Sequence, residues 1–365
     1  MNLPLLTPRS RVMLFAPHPD DESLAAGVFL QRAIGEGAAV RVIYATDGER
    51  NCWPQRVLER KVRLRDNDRR RWGARRRNEA LAALRILGIK AVDVRFLSLP
   101  DQGITDLLLS GCGKTFWRLA RSITDWRPTH LLVPSQQDTH PDHSGLAILL
   151  RLVLQNHCAA ISGVTLLHYL VHGGSTSFAL RSRILIPNQG EQKRKKKAIL
   201  CHGTQVALSR RRFLGYAQRP ERFMVGDEEA APIFDGPFRS LERSYGQLRF
   251  EVSFSLKPLR AETTSLYLVG RDLKGTLRRF RATIPARTAR FPLIDCVSGE
   301  LTDHGVFRGD AFRAQISLPL TNLLASSSVY LKLDRRGWFF DEAGWVELPG
   351  VVAPIETAFA PLAVA

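Results

Sequence analysis

Cysteine is scarce and unpaired in this chain. Five are spread over 365 residues, at Cys52, Cys112, Cys158, Cys201 and Cys296, and no two form a C-x-x-C pair. This argues against the disulfide framework of a small secreted domain and against a thiolate zinc site, and it predicts a reduced, cytoplasmic setting. Long apolar runs are also missing. No stretch approaches the roughly 18 apolar residues of a membrane span, and the first residues lack the charged-then-apolar pattern of a secretory signal. Neither a transmembrane segment nor a signal peptide is expected, which leaves only peripheral membrane contact open. Internal repeats are absent, and the only biased tract is rich in arginine. Acidic residues are outnumbered 35 to 53, giving a net charge of +18. Much of that excess lies in Arg60 to Arg77, and a second cluster is Lys193 to Lys197. Such charge favours anionic partners: nucleic acid, acidic headgroups or a phosphate-bearing substrate. The competing reading is a solvated basic face.

The apolar residues, 44% of the chain, are arranged in two different rhythms. Up to about residue 246, short apolar runs alternate with amphipathic stretches. Strands are expected at Val12 to Ala16, Ala39 to Ala45, Val92 to Leu97, Thr129 to Val133 and Val164 to Tyr169. Helices are expected at Ser23 to Ile34, Arg77 to Gly88, about Lys114 to Trp126 and about Asp142 to Asn156. The pattern predicts an α/β fold, a Rossmann-like and mostly parallel sheet with helices on both faces. The polar segment from Asn51 to about Gly73 is too long for an ordinary connection and is expected to be a functional loop or partly helical flap. Beyond Gly246 only β-type runs remain, from Leu248 to Leu256 through Trp338 to Phe340, separated by turn signals. They predict a C-terminal all-β, sandwich-like domain over 247–352, followed by a tail, 353–365. This second domain has no cluster of metal donors and is expected to aid substrate or partner binding without doing chemistry.

The chemistry is concentrated at strand ends. Pro17-His18-Pro19-Asp20-Asp21-Glu22 follows the first strand, and His140-Pro141-Asp142-His143 follows the fourth. Prolines end each ladder there, and parallel strands deliver their carboxyl ends to one sheet edge, where open α/β sheets bind ligands. Residues after a strand often cap the next helix, and Pro141 suits a first helical position. Capping alone does not explain paired donors at two strand ends. Two imidazoles and one carboxylate leave an open coordination position, the arrangement of catalytic zinc. Such a zinc activates water and polarises a carbonyl. With Asp21 committed to the metal, Asp20 is the spare carboxylate able to take the water's proton.

The sequence resembles the PIG-L/LmbE family of zinc-dependent N-acetylglucosaminyl deacetylases. The resemblance rests on the two motifs just quoted, with Thr46-Asp47-Gly48-Glu49, Arg76-Arg77-Asn78-Glu79, Pro100-Asp101-Gln102-Gly103 and Ala198 to Gln205, and it covers roughly residues 10 to 230. It implies that His18, Asp21 and His143 hold Zn2+, that Asp20 is the general base, and that His140 stabilises the oxyanion. Asp142 would then orient His140 or His143, and Arg50, Arg77 and Asp101 would contact the sugar. His157, His168 and His172 have no partner at ligand spacing and read as structural, while His202 is a candidate pocket residue. The implied activity is hydrolysis of the N-acetyl group of an N-acetylglucosamine-type sugar or glycoconjugate, one bearing phosphate if the arginine-rich segment clamps it. Two alternatives stand beside it: an amide hydrolase of another N-acylated conjugate, such as a thiol or antibiotic intermediate, and a basic nucleic-acid-binding protein on an inactive scaffold. The second is disfavoured, because the basic runs lack interleaved aromatics apart from Trp72. The sequence leaves the oligomeric state open.

Overall fold

The structure is a computed structural model that describes residues 3–111, 113–157, 163–173, 176–226, 236–244, 246–254, 264–337 and 339–351. The expected tail, 353–365, lies outside the described residues, as do Cys112 and Cys158. Two units are present: one comprises Met1–Gly236 with Asp334–Val346, the other Pro237–Leu333 with Glu347–Ala365. The division therefore falls before the expected boundary at 246/247, because Phe238–Ser244 is a strand of the second unit, paired with Gln247–Ser253. The segment 334–346, expected in the second domain, belongs to the first.

The first unit is built on a seven-stranded sheet. Its strands are β1 (Arg11–Ala16), β2 (Ala39–Thr46), β3 (Val94–Leu99), β4 (His130–Pro134), β5 (Thr165–Tyr169), β6 (Arg183–Leu185) and β7 (Glu221–Val225). They lie in the order β3-β2-β1-β4-β5-β7-β6. β1 to β5 are parallel, and β7 runs antiparallel to β5 and β6. Strand order reverses direction between β1 and β4, the switch point at which α/β sheets open a crevice.

The helices are α1 (Asp21–Ala25), α2 (Gly27–Gly35), α3 (Cys52–Glu59), α4 (Asp66–Leu87), α5 (Ile104–Ser110), α6 (Gly113–Thr124), α7 (Pro141–Asn156), α8 (Thr176–Arg181), α9 (Gln189–Cys201) and α10 (Gly203–Gln218). Alternation along β1 shows why both sheet faces are covered. Val12, Leu14 and Ala16 join one apolar cluster with Val28 and Phe29 of α2 and Ala80 and Leu84 of α4. Met13 and Phe15 between them are equally buried and face the other way. On the first side α2, α4 and α9 pack together, while α5 and α6 pack against α7.

The arginine-rich stretch is partly helical, as expected: α3 and the start of α4 flank a non-helical link at residues 60–65. Ion pairs join its two helices: Arg71 reaches both Glu59 (2.6 Å) and Asp68 (3.1 Å), and Lys61 reaches Asp68 (2.5 Å). Asp68 also accepts from the Arg65 backbone N–H at 3.0 Å, capping the start of α4. The second basic cluster is split as well. Lys195 is buried against Glu221 at 2.6 Å, and Glu221 also accepts the backbone N–H groups of Val28 (2.7 Å) and Phe29 (2.9 Å) at the start of α2.

The second unit is all-β, as its turn spacing predicts. Its strands β8 (Phe238–Ser244), β9 (Gln247–Ser253), β10 (Ser265–Arg271), β11 (Leu277–Thr283), β12 (Ala289–Asp295), β13 (Leu301–Gly309), β14 (Arg313–Pro319) and β15 (Val329–Asp334) form one hydrogen-bonded sheet, in the order β15-β10-β11-β12-β13-β14-β9-β8. A short pair, β16 (Arg336–Gly337) and β17 (Phe340–Asp341), lies in segment 334–346, and a final strand, β18 (Val346–Leu348), pairs beside β15. Leu248, Phe250 and Val252 are buried while their neighbours are exposed or half-buried, so β9 has one apolar and one wet face. Among the described residues no helix in either unit is long and apolar enough to cross a membrane.

Candidate functional site

The loops after β1 and β4 bring the two motifs together at the switch point. His18 Nδ1 lies 3.1 Å from His143 Nε2 and 3.4 Å from Asp21 Oδ2, and His143 Nε2 lies 3.2 Å from the same oxygen. Three donor atoms thus mark a triangle with edges of 3.1 to 3.4 Å. Metal–ligand bonds of about 2.0–2.2 Å in a tetrahedral shell separate neighbouring ligands by about 3.3–3.6 Å, so two edges of the triangle are about 0.1–0.2 Å short of such a shell and the third lies within it.

The outer edges of both rings support that fit. His143 Nδ1 donates to Asp138 at 3.0 Å, and His18 Nε2 is within 3.2 Å of Asp142 and 3.3 Å of Asp101. With the outer nitrogens carrying the protons, the inner lone pairs of both rings converge with the Asp21 oxygen. Carboxylates that hold ligating imidazoles in this way fix their tautomer and raise their basicity. Burial drives both imidazoles down, yet their acidic neighbours outweigh it: His18 ends well above its ordinary value and His143 is pushed up to about 9. Asp21 shows the converse, burial raising it and the two imidazoles pulling it well below the carboxylate range. Surroundings that favour a proton between these donors favour a cation there. Other donor groups share the pocket, namely His18 with His140 and His143, and Asp21 with His143 and His172.

Asp20 lines the same cavity, and its backbone is held at φ 151°, ψ −27°. A residue in that region is strained, so its neighbours must fix it. Glu22 accepts its N–H at 3.0 Å, and Arg76 approaches its carboxylate at 3.3 Å. Burial lifts the Asp20 carboxyl to about 6, against the pull of the Arg76 guanidinium. Arg76 is itself buried and donates to the carbonyls of Gly48 (2.9 Å) and Pro19 (2.9 Å). Gly48, at φ 65°, has to be glycine, because a Cβ there would collide with that guanidinium. The Thr46 to Glu49 motif is therefore the socket for Arg76.

His140 caps α7, its Nδ1 accepting from the Asp142 N–H at 3.2 Å. That bond leaves the ring proton on Nε2. Burial, and then the neighbouring imidazoles, holds His140 well below its ordinary value, so it is a neutral donor at neutral pH.

Several contacts differ from those the sequence suggests. Asp142 reaches His18, and it also accepts from the Gln102 (2.6 Å) and Ile104 (3.0 Å) N–H groups; the carboxylate on His143 is Asp138. Arg77 is turned away from the cavity towards Asp47 and Ser98, and Arg76, one position earlier on α4, faces it. Asp101 lines the cavity beside His18 and accepts the Arg50 N–H at 2.6 Å, whereas Arg50 itself is exposed and outside the lining. His172 lines the cavity, its ring 4.9 Å from that of His143. Its position three residues beyond the end of β5, beside β4 in the sheet, is the signal that locates it. His202 lies behind Asp20, its Nε2 2.9 Å from Glu22.

The cavity, of about 380 Å³, has two characters. Its floor is polar, made by His18, Asp20, Asp21, Arg76, Asp101 and His140. Its outer wall includes Trp53, Leu208, Phe213, Phe339 and Phe340.

Residues 13–153 match the family model described as GlcNAc-PI de-N-acetylase, PIG-L. A 1D-myo-inositol 2-acetamido-2-deoxy-alpha-D-glucopyranoside deacetylase of Streptomyces griseus is 32% identical over 151 residues, 37% of this chain and 46% of that protein. Its counterpart in Geodermatophilus obscurus is 29% identical over 154 residues, 38% of this chain and 50% of that protein. The chain thus spans about half the length of the curated relatives it matches. Among solved structures, an N,N'-diacetylchitobiose deacetylase of Pyrococcus horikoshii is 20% identical with a TM-score of 0.46, covering 60% of this chain and 84% of that one.

Proposed function

Because residues 13–153 match the PIG-L family model, we propose that the chain is a zinc-dependent hydrolase removing the N-acetyl group from an N-acetylglucosamine-type sugar or glycoconjugate. The observation that carries this reading is the buried triangle of His18, Asp21 and His143 in one cavity with Asp20 and His140. His18, Asp21 and His143 are the residues that would hold the ion, which when bound supplies a nucleophilic water at neutral pH and polarises the amide carbonyl.

The remaining steps belong to the chain. Asp20, ionised and steered by Arg76, accepts the proton of the attacking water and returns it to the departing sugar amine, which must leave protonated. His140 donates from Nε2 to the oxygen on which negative charge develops, a contribution made chiefly in the transition state. The neutral ring suits this, since Nδ1 is already occupied as an acceptor. Asp138 and Asp142 keep the two ligating rings in the tautomers that face inward.

The test is acetate release from N-acetylglucosamine glycosides by protein reconstituted with Zn2+, against His143→Ala treated in the same way. Release by the first and none by the second is expected. Equal release by both would refute the assignment of the site.

A further inference from the structure

The outer wall of the cavity is unlike the floor. Trp53 and Leu208 are each 47% exposed, and with Phe213, Phe339 and Phe340 they leave apolar surface facing the space above a polar site. These five side chains come from three distant stretches: Trp53 from α3, Leu208 and Phe213 from α10, and the two phenylalanines from segment 334–346. Four of the five lie outside residues 13–153, so the region matched by the family model does not account for them.

The local backbone is built to present them. α10 breaks at Ser209, where φ is −143° and ψ 37°. On an unbroken helix, residues 208 and 213 would point about 140° apart, at about 100° per residue; across the break both line the cavity. Segment 334–346 is fastened by backbone bonds from Asp341 N–H to the Thr139 carbonyl (2.8 Å) and from Trp345 N–H to the Gln136 carbonyl (2.7 Å). Arg335 closes it on itself through Glu342 at 2.7 Å. Phe340 is thereby set against the rings of His140, at 5.7 Å, and His172, at 5.0 Å. Arg212 is the cation of this wall, and it engages His172 Nδ1 at 3.4 Å.

We propose that this wall is a subsite for an apolar aglycone, so that the substrate is an amphiphile: an N-acetyl sugar in the polar floor, carrying an alkyl chain or aromatic ring that lies on Trp53, Leu208, Phe213, Phe339 and Phe340. The inference rests on the deacetylase reading and adds the class of group attached to the sugar. A bare sugar would leave this apolar surface in water, and an apolar substituent removes it at a gain proportional to the area covered. The site is continuous with the floor, so one molecule can occupy both.

The experiment compares kcat/KM for the methyl, octyl and phenyl β-glycosides of N-acetylglucosamine, below the micelle threshold of the octyl compound. At least a tenfold preference for octyl or phenyl over methyl is expected, and which of the two leads separates chain from ring. The preference should fall at least fivefold in Leu208→Glu, at an exposed position, and in Phe340→Ala, and persist in Phe340→Leu. Octyl β-glucoside and methyl β-glucoside, which lack the acetamide, are titrated calorimetrically into the same proteins. Turnover of the methyl glycoside with no preference for the apolar ones would overturn the subsite and leave deacetylation standing. No acetate from any glycoside would overturn deacetylation instead. Calorimetry then decides the subsite: tighter octyl binding that Phe340→Ala abolishes supports it, and equal binding of both glucosides rejects it.

Discussion

His143 Nδ1 and the Asp138 carboxylate lie 3.0 Å apart, and both side chains are wholly buried. Asp138 also accepts the N–H groups of His140 (2.9 Å), Val171 (3.1 Å) and His172 (3.1 Å), so one carboxylate sets the imidazole and gathers two loops around it. Removing the carboxylate's charge lets the ring choose the wrong tautomer. Asp138→Asn is expected to weaken zinc binding by about 10–100-fold, the usual consequence of losing such a partner. Competition against a chromogenic chelator measures it, and unchanged affinity would contradict the role.

Metal removal should be felt by the fold as well as by the activity. The donors of the triangle follow β1 (His18, and Asp21 at the start of α1) and β4 (His143 in the first turn of α7), so an ion there ties two strand ends together. A ligand present at a thousandfold over its dissociation constant stabilises by about 4 kcal/mol. Chelation should therefore lower Tm by on the order of 10 °C, and zinc should restore it. His143→Ala should show the lower Tm with or without zinc. Scanning calorimetry with and without chelator is the check.

Asp20→Asn should keep its metal and lose turnover by about 10²–10⁴-fold, on the order of 3–5 kcal/mol, if the proposed base is removed. The same carboxyl carries a pH prediction. In metal-free protein it titrates at about 6, raised by burial against Arg76. A bound divalent cation adds positive charge and lowers that value. A base works only when ionised, so kcat/KM of the zinc-loaded protein should fall as pH drops through a value below 6. Carboxyl carbon NMR on the apo protein and a pH–rate profile on the holo protein measure the pair. A higher value in the holo protein would contradict the assignment.

Adjacent arginines should behave oppositely. Arg76→Ala removes the buried cation beside Asp20 together with its bonds to Gly48 and Pro19, and misplacement of a catalytic group by about 1 Å can cost about 10²-fold. A loss of about that size in kcat/KM is expected. Arg77→Ala breaks a half-exposed pair with Asp47 and should change kcat/KM by less than about threefold. Steady-state kinetics on both variants decides between them.

Lys195 sits in the middle of a basic run yet is only 1% exposed, against Glu221. Lys195→Ala leaves a buried carboxylate uncompensated and should destabilise by about 3–5 kcal/mol. Lys196→Ala, at an exposed position, should stay within about 0.5 kcal/mol of the parent. Urea titrations of both variants provide the comparison.

What the sequence discloses follows from geometry that short-range rules capture. The ends of parallel strands share an edge, so donors after β1 and β4 meet whatever lies between them, and His18, Asp20, Asp21, His140 and His143 can be named at once. The choice between neighbours is not legible in that way. Asp138 and Asp142 flank the same turn, and only the start of α7 decides which imidazole each reaches. Arg76 and Arg77 differ by about 100° around a helix, and the register of α4 is fixed by packing rather than by composition. His172 stands alone after β5, marked only by its place three residues past the strand end and not by a second donor at ligand spacing. Phe339 and Phe340 read as residues of the second, all-β domain, since nothing local shows that their segment returns to the first unit.

That return has a consequence for synthesis. A chain emerges from the ribosome amino end first and its units generally fold in that order. Here Asp334–Val346 belongs to the unit that begins at Met1, while Pro237–Leu333 is placed in the other. The polar floor can therefore assemble early, but the wall made by Phe339 and Phe340 exists only after the intervening Pro237–Leu333 has been translated. A product terminated before Asp334 would hold the residues of the polar floor with one side of the cavity missing, so the proposed apolar subsite would be completed after the floor.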